Sequence, residues 1–312
     1  MNSATIRLGV LQPRTFWGEE ASRNLDEALR WIEQAGSQDV DLLLFPETYP
    51  GPYQAHVRYE VLEPLCNAAA HNRVGLVAGT TEETAPGSGR HRVVAVVIGS
   101  DGEIKGRYRR THPVGTYLYS GGDLWDVEYE EADELPVFDM GWGTLGVNIC
   151  SEVFVPELAR AVALKGAEVC VFPTGVLIDE LGYMDTWQTL IKARAIENLM
   201  YTATTVHLFP PEFAALCTET GTIESGTISS GSGLTAGHAM IASPERVLAS
   251  SHEPGLFTAD LDLDRVRRMR SSEEELVVPA PFRTIPGVLD WRRLDVIGDV
   301  LTPSHQLEKS RH

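Results

Sequence analysis

Short apolar runs alternate with amphipathic helical stretches along most of this chain. Ile6 to Leu11 has the pattern of a buried strand, and Asn24 to Ala35 follows with Leu25, Ala28, Leu29 and Ile32 at helical spacing. Asp41 to Phe45 (DLLLF) is a second short apolar run that stops at Pro46. Strand, helix, strand is the opening of an α/β layered fold. Tyr59 to Asn72 predicts a helix, and Val74 to Gly79 and Arg92 to Ile98 predict strands; Thr84 to Gly89 and Ser100 to Gly102 carry turn chemistry.

The alternation resumes further on. Thr144 to Ile149 predicts a strand that runs straight into Cys150, Pro156 to Lys165 a helix, and Glu168 to Phe172 the next strand. Tyr183 to Leu199 predicts a helix and Tyr201 to His207 a strand, while Thr218 to Gly237, rich in Gly, Ser and Thr, predicts a long loop. Ala239 to Ala242, Val247 to Leu248 and Leu256 to Asp260 predict a terminal meander. No repeat period divides the chain. The expectation is one domain over residues 1–265 and a C-terminal extension over 266–312, placed at a subunit interface.

Composition narrows the partners. The chain has 312 residues and a formal net charge of -18, so it has no general attraction for nucleic acid or an anionic membrane. No apolar run is long enough to span a bilayer, and the start MNSATIRLGVLQP does not resemble a signal peptide. Four cysteines, at 66, 150, 170 and 217, form no C-x-x-C pair and no zinc-like cluster with histidine. A reducing cytoplasm is the expected setting.

Three segments place a reactive side chain at or just beyond the end of an apolar strand, where open α/β sheets build their sites. They are LLLFPET at Glu47, GRYRRTHP at Arg110 and LGVNICSEVFVPELAR at Cys150. A carboxylate, a cation and a thiol are the parts needed for acyl transfer through a thioester. The thiol attacks carbon, the carboxylate moves its proton, and the cation stabilises developing negative charge. Each alone has an ordinary explanation as packing, cap or solvated edge; together and in this order they point to a site.

The chain resembles the nitrilase superfamily over about residues 5 to 265. LGVLQP is similar to that family's first strand, DLLLFPET to its glutamate motif, and Gly106 to His112 to its lysine motif. VNICSEVFVPELARAVALKGAEVCVFPTG resembles its cysteine motif and following strand, WQTLIKARAIENLMYTATT the next helix and strand, and GHAMIASPERVLA a late hairpin. The resemblance implies an α/β four-layer αββα sandwich, no cofactor or metal, a small-molecule substrate, and pairing of subunits into a homodimer or larger assembly. It implies Glu47 as general base and Cys150 as nucleophile, with the Ser151 backbone N–H in an oxyanion hole. Cys150 at a strand-to-helix turn is expected to favour a thiolate. Arg194 and Glu197 resemble a structural ion pair. Tyr53, Tyr117, Ser151, Glu152, Thr174 and Trp187 are the expected substrate-binding residues, and Tyr49, Trp125 and Phe154 are further aromatics placed near the pocket.

The pattern breaks in two places. Tyr108-Arg109-Arg110-Thr111-His112 carries Arg110 where the family has Lys, and an arginine is bulkier, planar and permanently charged. The loop from Thr111 to Phe138 has no Glu before Glu128 to match the family's second glutamate, leaving Asp123 as a stand-in. Ser151 also departs from the usual aromatic after the nucleophile, while Glu152 keeps the acid. Three readings stay open: hydrolysis of a non-peptide C–N bond (amide, nitrile or N-carbamoyl amine), acyl transfer or amidine-type chemistry with Arg110 binding a substrate carboxylate, and an inactive binding protein. A thiol protease would need His112, His207 or His238 to activate Cys150, and none has a local signature for it.

Overall fold

The computed structural model describes residues 4–52, 58–112, 128–175, 183–209 and 237–271. Thirteen strands among these residues form two sheets. The first runs β13(Gly255–Asp262), β1(Thr5–Gln12), β2(Leu42–Leu44), β3(Gly75–Glu83), β4(Arg90–Ile98), β5(Ile104–Arg109), with β6(Glu128–Tyr129) beside β4. The second runs β12(Val247–Ser251), β11(Ala239–Ala242), β10(Tyr201–Thr205), β9(Val169–Pro173), β8(Thr144–Val147), β7(Val137–Asp139). Helices α1(Arg23–Ser37) and α2(Leu62–Asn72) cover the first sheet, and α3(Pro156–Leu164) and α4(Tyr183–Asn198) the second. The layers are therefore αββα, as expected.

The burial pattern explains why β4, RHRVVAVVI, shows no polar alternation. Val93, Ala95 and Val97 face the second sheet, in one core with Leu8, Leu44, Leu145 and Val147. Val94, Val96 and Ile98 point the other way, under Ala28 and Ile32 of α1 and Leu65 of α2. A strand covered on both faces must be apolar at successive positions. Each fully buried Val or Ile contributes on the order of 2 kcal/mol. Strand β5 ends at Arg109, just ahead of Arg110 as expected, although IKGRYR carries little apolar signal, whereas β6 and β7, EY and VFD, were not expected.

Helix α5(Leu263–Arg270) buries Leu263, Val266 and Met269, and the boundary expected near 265 falls within it. Arg270 donates to the carbonyls of Ala167 (2.5 Å) and Leu199 (2.8 Å), tying the helix to the chain ahead of β9 and β10. Among the described residues no helix is long and apolar enough to cross a membrane.

Topology sets where a site can form. β1–β2–β3 and β8–β9–β10 are parallel runs. β5 is antiparallel to β4, which is antiparallel to β3, so two reversals give β5 the direction of β3. The chain leaves β2, β5, β8, β9 and β10 toward Glu47, Arg110, Cys150, Thr174 and His207 respectively.

Candidate active site

Glu47 sits in a loop whose backbone is fixed on every side. The loop crosses over Gly79, whose N–H donates to the Tyr49 carbonyl at 2.8 Å, and Thr48 is held at φ 56°. A methyl group on Gly79 would stand 2.1 Å from the Thr48 nitrogen and 2.6 Å from its Cα, so only glycine lets the loop lie there. The Glu47 N–H donates to the Thr174 carbonyl at 3.2 Å, and its own carbonyl accepts from His207 Nε2 at 2.5 Å.

Arg110 is turned inward, only 1% exposed. Its Nη1 donates to Glu47 Oε1 at 2.7 Å, its Nη2 to Ser151 Oγ at 2.6 Å and its Nε to the His112 carbonyl at 3.1 Å. The guanidinium thus joins the base to the residue after Cys150. The planar fork reaches two partners at once, which a lysine ammonium at this place does with one nitrogen.

Cys150 opens a short 3-10 helix, Cys150–Phe154, with φ 53°. Its thiol lies close enough to the Glu47 carboxylate for each group to shift the other's proton affinity. Burial raises the Glu47 carboxyl above the ordinary carboxylate range, with the Arg110 charge and the neighbouring Cys150 thiol opposing. Burial, and then the negative charge of Glu47, push the Cys150 thiol up to about 12; Arg110 and the Gly175 N–H pull it down. The expected thiolate is therefore corrected. A five-residue 3-10 turn offers too little dipole to offset desolvation and a facing carboxylate, and the resting group is a thiol.

Glu152 also departs from expectation. It is wholly buried rather than facing a pocket. Oε1 accepts from the Thr111 N–H (2.8 Å), Thr111 Oγ1 (2.7 Å) and the His112 N–H (3.0 Å). Oε2 accepts from the Ile149 N–H (2.6 Å) and the Tyr108 hydroxyl (2.7 Å). These bonds lock the Arg110 loop to the nucleophile turn. Arg194 supports the same turn from α4, its Nε and Nη2 donating to the Val153 carbonyl at 3.0 and 2.9 Å, with Nη1 on Glu197 at 2.7 Å.

The other expected site residues divide. Ser151 is at the site through its contact with Arg110. Thr174 is fully buried, its hydroxyl turned back to the Phe172 carbonyl, and it serves the site through its backbone. Trp187 is in the core, edge-on to Phe154 with ring centroids 5.8 Å apart, not an open pocket wall. Tyr49 is likewise buried, against Phe45 and His207. Tyr53, Tyr117, Asp123 and Trp125 lie outside the described residues. Gly79, Gly175 and His207 were missed as parts of the site. Each acts through a contact distant in sequence, and only the glycine in VGLVAGT offered a trace of it. His207 has its ring nitrogens on the Glu47 carbonyl and Thr15, and His238 Nδ1 lies 3.5 Å from Gln188 Nε2; neither arrangement is that of a base for Cys150. Among the described residues no group of His, Cys, Asp and Glu could hold a metal ion.

The family profile described as carbon-nitrogen hydrolase matches residues 7–271. The chain belongs to the carbon-nitrogen hydrolase family. This hydrolase family member is 29% identical to a protein named nitrilase from Pyrococcus abyssi, over 81% of this chain and 89% of that one. It is 26% identical to a chloroplastic omega-amidase of Arabidopsis thaliana, over 81% and 67% of the two chains. Its fold matches a carbon-nitrogen hydrolase from Helicobacter pylori with TM-score 0.72 and 23% identity, covering 95% and 98% of the chains. It also matches a mutant amidase from Nesterenkonia sp. AN1 with TM-score 0.65 and 22% identity, covering 87% and 95%; that structure shows covalent addition of an acetamide moiety at the active site cysteine. The nitrilase-superfamily fold read from the motifs is thus borne out.

Proposed function

We propose that this hydrolase cleaves a linear amide through a thioester on Cys150, with Glu47 as base. The observation that carries this reading is the meeting of the Cys150 thiol, the Glu47 carboxylate and the Arg110 guanidinium, brought from three strand ends into one buried cluster. Because the resting thiol keeps its proton, attack on the amide carbon and transfer of that proton to Glu47 occur together. The C–S bond forms as the carbonyl oxygen takes up negative charge. Collapse breaks the C–N bond, and Glu47 returns the proton to the departing amine. Water then attacks the thioester, gives its proton to Glu47, and releases the acid as the thiol is restored.

Arg110 holds the carboxylate in place and keeps part of it ionised despite burial. Three of its N–H groups already point at Glu47, Ser151 and the His112 carbonyl. That occupancy argues against a free fork for a substrate carboxylate, and so against acyl transfer or amidine-type chemistry with Arg110 as the anchor. Retention of the cluster argues against an inactive binder. The omega-amidase relative and the cysteine adduct of the Nesterenkonia amidase support an amide, and the relative named nitrilase makes a nitrile the second substrate class to test.

The test is ammonia release from a panel of short linear amides. Turnover that disappears in both Cys150→Ser and Glu47→Gln supports the reading; turnover that survives either change overturns it. We also place the protein in a reducing compartment, consistent with Cys66, Cys150 and Cys170 being free. Subunit pairing is proposed through the α3–α4 layer, where Leu164 (52%) and Ile196 (42%) are exposed. Light scattering that gives a monomer mass would overturn it.

A further inference from the structure

We propose that His207 is a positioning residue for the base: its imidazole fixes the Glu47 peptide so that the carboxylate stays aimed at Cys150. This rests on the reading of Glu47 as base. Glu47 lies in a loop beyond β2, not on a regular element, so its aim depends on what holds its backbone. Its N–H is held by the Thr174 carbonyl, and its carbonyl by Thr48 of the same loop and by His207. His207 is the one of these carbonyl partners that comes from the opposite sheet, at the end of β10.

The tautomer follows from the partners. A carbonyl only accepts, so Nε2 carries the proton across the 2.5 Å contact to Glu47. Nδ1 then accepts from the Thr15 hydroxyl at 3.0 Å. The ring is 2% exposed, stacked on Phe209 with centroids 5.1 Å apart and tilted against Tyr49 at 5.9 Å. Its own backbone N–H donates to the Gly175 carbonyl at 3.1 Å. Gly175 is itself beside the chemistry: a methyl group there would stand 2.9 Å from Glu47 Oε2. A chain of donors thus runs from the segment after β1, through β10, to the base after β2. Burial lowers the imidazole to about 4, so the ring stays neutral and keeps this single arrangement at neutral pH.

The experiment follows the pH dependence of Cys150 alkylation by iodoacetamide, read by peptide mapping, in the full chain and in His207→Leu, His207→Gln, Thr15→Val and Glu47→Gln. A displaced base costs up to about a hundredfold per ångström. His207→Leu should slow alkylation at neutral pH at least tenfold by that scale and move the profile toward that of Glu47→Gln, whereas His207→Gln, whose Nε2 can donate to the same carbonyl, should stay within about threefold of wild type. A Leu variant equal to wild type overturns the proposal, and so does a Gln variant as damaged as Leu, which would make the ring mere filling. Should His207→Leu not fold, Thr15→Val decides: a profile displaced toward Glu47→Gln supports the relay, and an unchanged one overturns it. If Glu47→Gln itself leaves Cys150 unaffected, the assignment of the base fails first and takes this inference with it; if Glu47→Gln matters and the His207 variants do not, only the inference fails.

Discussion

Gly79→Ala tests the idea that the site is built by backbone crossing rather than by its reactive side chains alone. Gly79 is not in the left-handed region, so alanine is acceptable to its own backbone, and any effect must be steric. The added methyl would meet the Thr48 nitrogen at 2.1 Å, the Thr48 Cα at 2.6 Å and the Tyr49 nitrogen at 2.9 Å. Carbon contacts ordinarily settle at about 3.5 Å or more, so the Glu47 loop must retreat by on the order of 1 Å. The neighbours are main-chain atoms and cannot swing aside as a flexible side chain would. Overpacking of this kind costs roughly 1–3 kcal/mol of stability. A shift of that size at a reacting group costs about a hundredfold in rate. The assay is Cys150 alkylation and amide turnover beside thermal melting. Loss of both reactivities in a protein that still melts cooperatively is the expected result. A folded Gly79→Ala with wild-type Cys150 alkylation would refute the reasoning.

Other outcomes can be checked together. Arg110→Met leaves Glu47 buried without its cation, so its carboxyl rises further, the acid limb of Cys150 alkylation moves to higher pH, and turnover falls by about a hundredfold or more; Arg110→Lys should recover part of that loss. Glu152→Gln replaces one acceptor oxygen with donors among N–H and O–H groups that all donate, and should cost on the order of 3 kcal/mol in urea unfolding; a loss below about 1 kcal/mol would count against the clamp. His207 and His238 are both lowered to about 4 from an ordinary 6.5, so each stays neutral when folded and takes up a proton on unfolding. Stability from these groups is full above about 6.5 and declines as pH falls through about 4, by up to about 3 kcal/mol per histidine. Urea titrations at pH 7 and pH 4.5 should show His207→Gln and His238→Gln losing less than wild type on acidification.

Much of this protein is legible without coordinates, because its information is local. A strand covered on both faces must be apolar residue after residue, as in DLLLF and VVAVVI, and an amphipathic helix must repeat its apolar positions, as α1 does with Ala28 and Ile32. Glu47, Arg110 and Cys150 are legible for a related reason: each ends or closely follows a strand, and parallel strands deliver such residues to one end of a sheet. What the chain order alone does not contain is which residues meet across it. Glu152 follows the nucleophile closely and looked like a pocket residue, yet it is used up by Tyr108, Thr111 and His112 from a distant strand end. Gly79 looks like any strand glycine until the Glu47 loop is laid across it. The protonation of Cys150 was misread from its local turn, because a thiol's state is decided by the solvent it loses and the charges it gains, and both Glu47 and the burial arrive only when the sheets close.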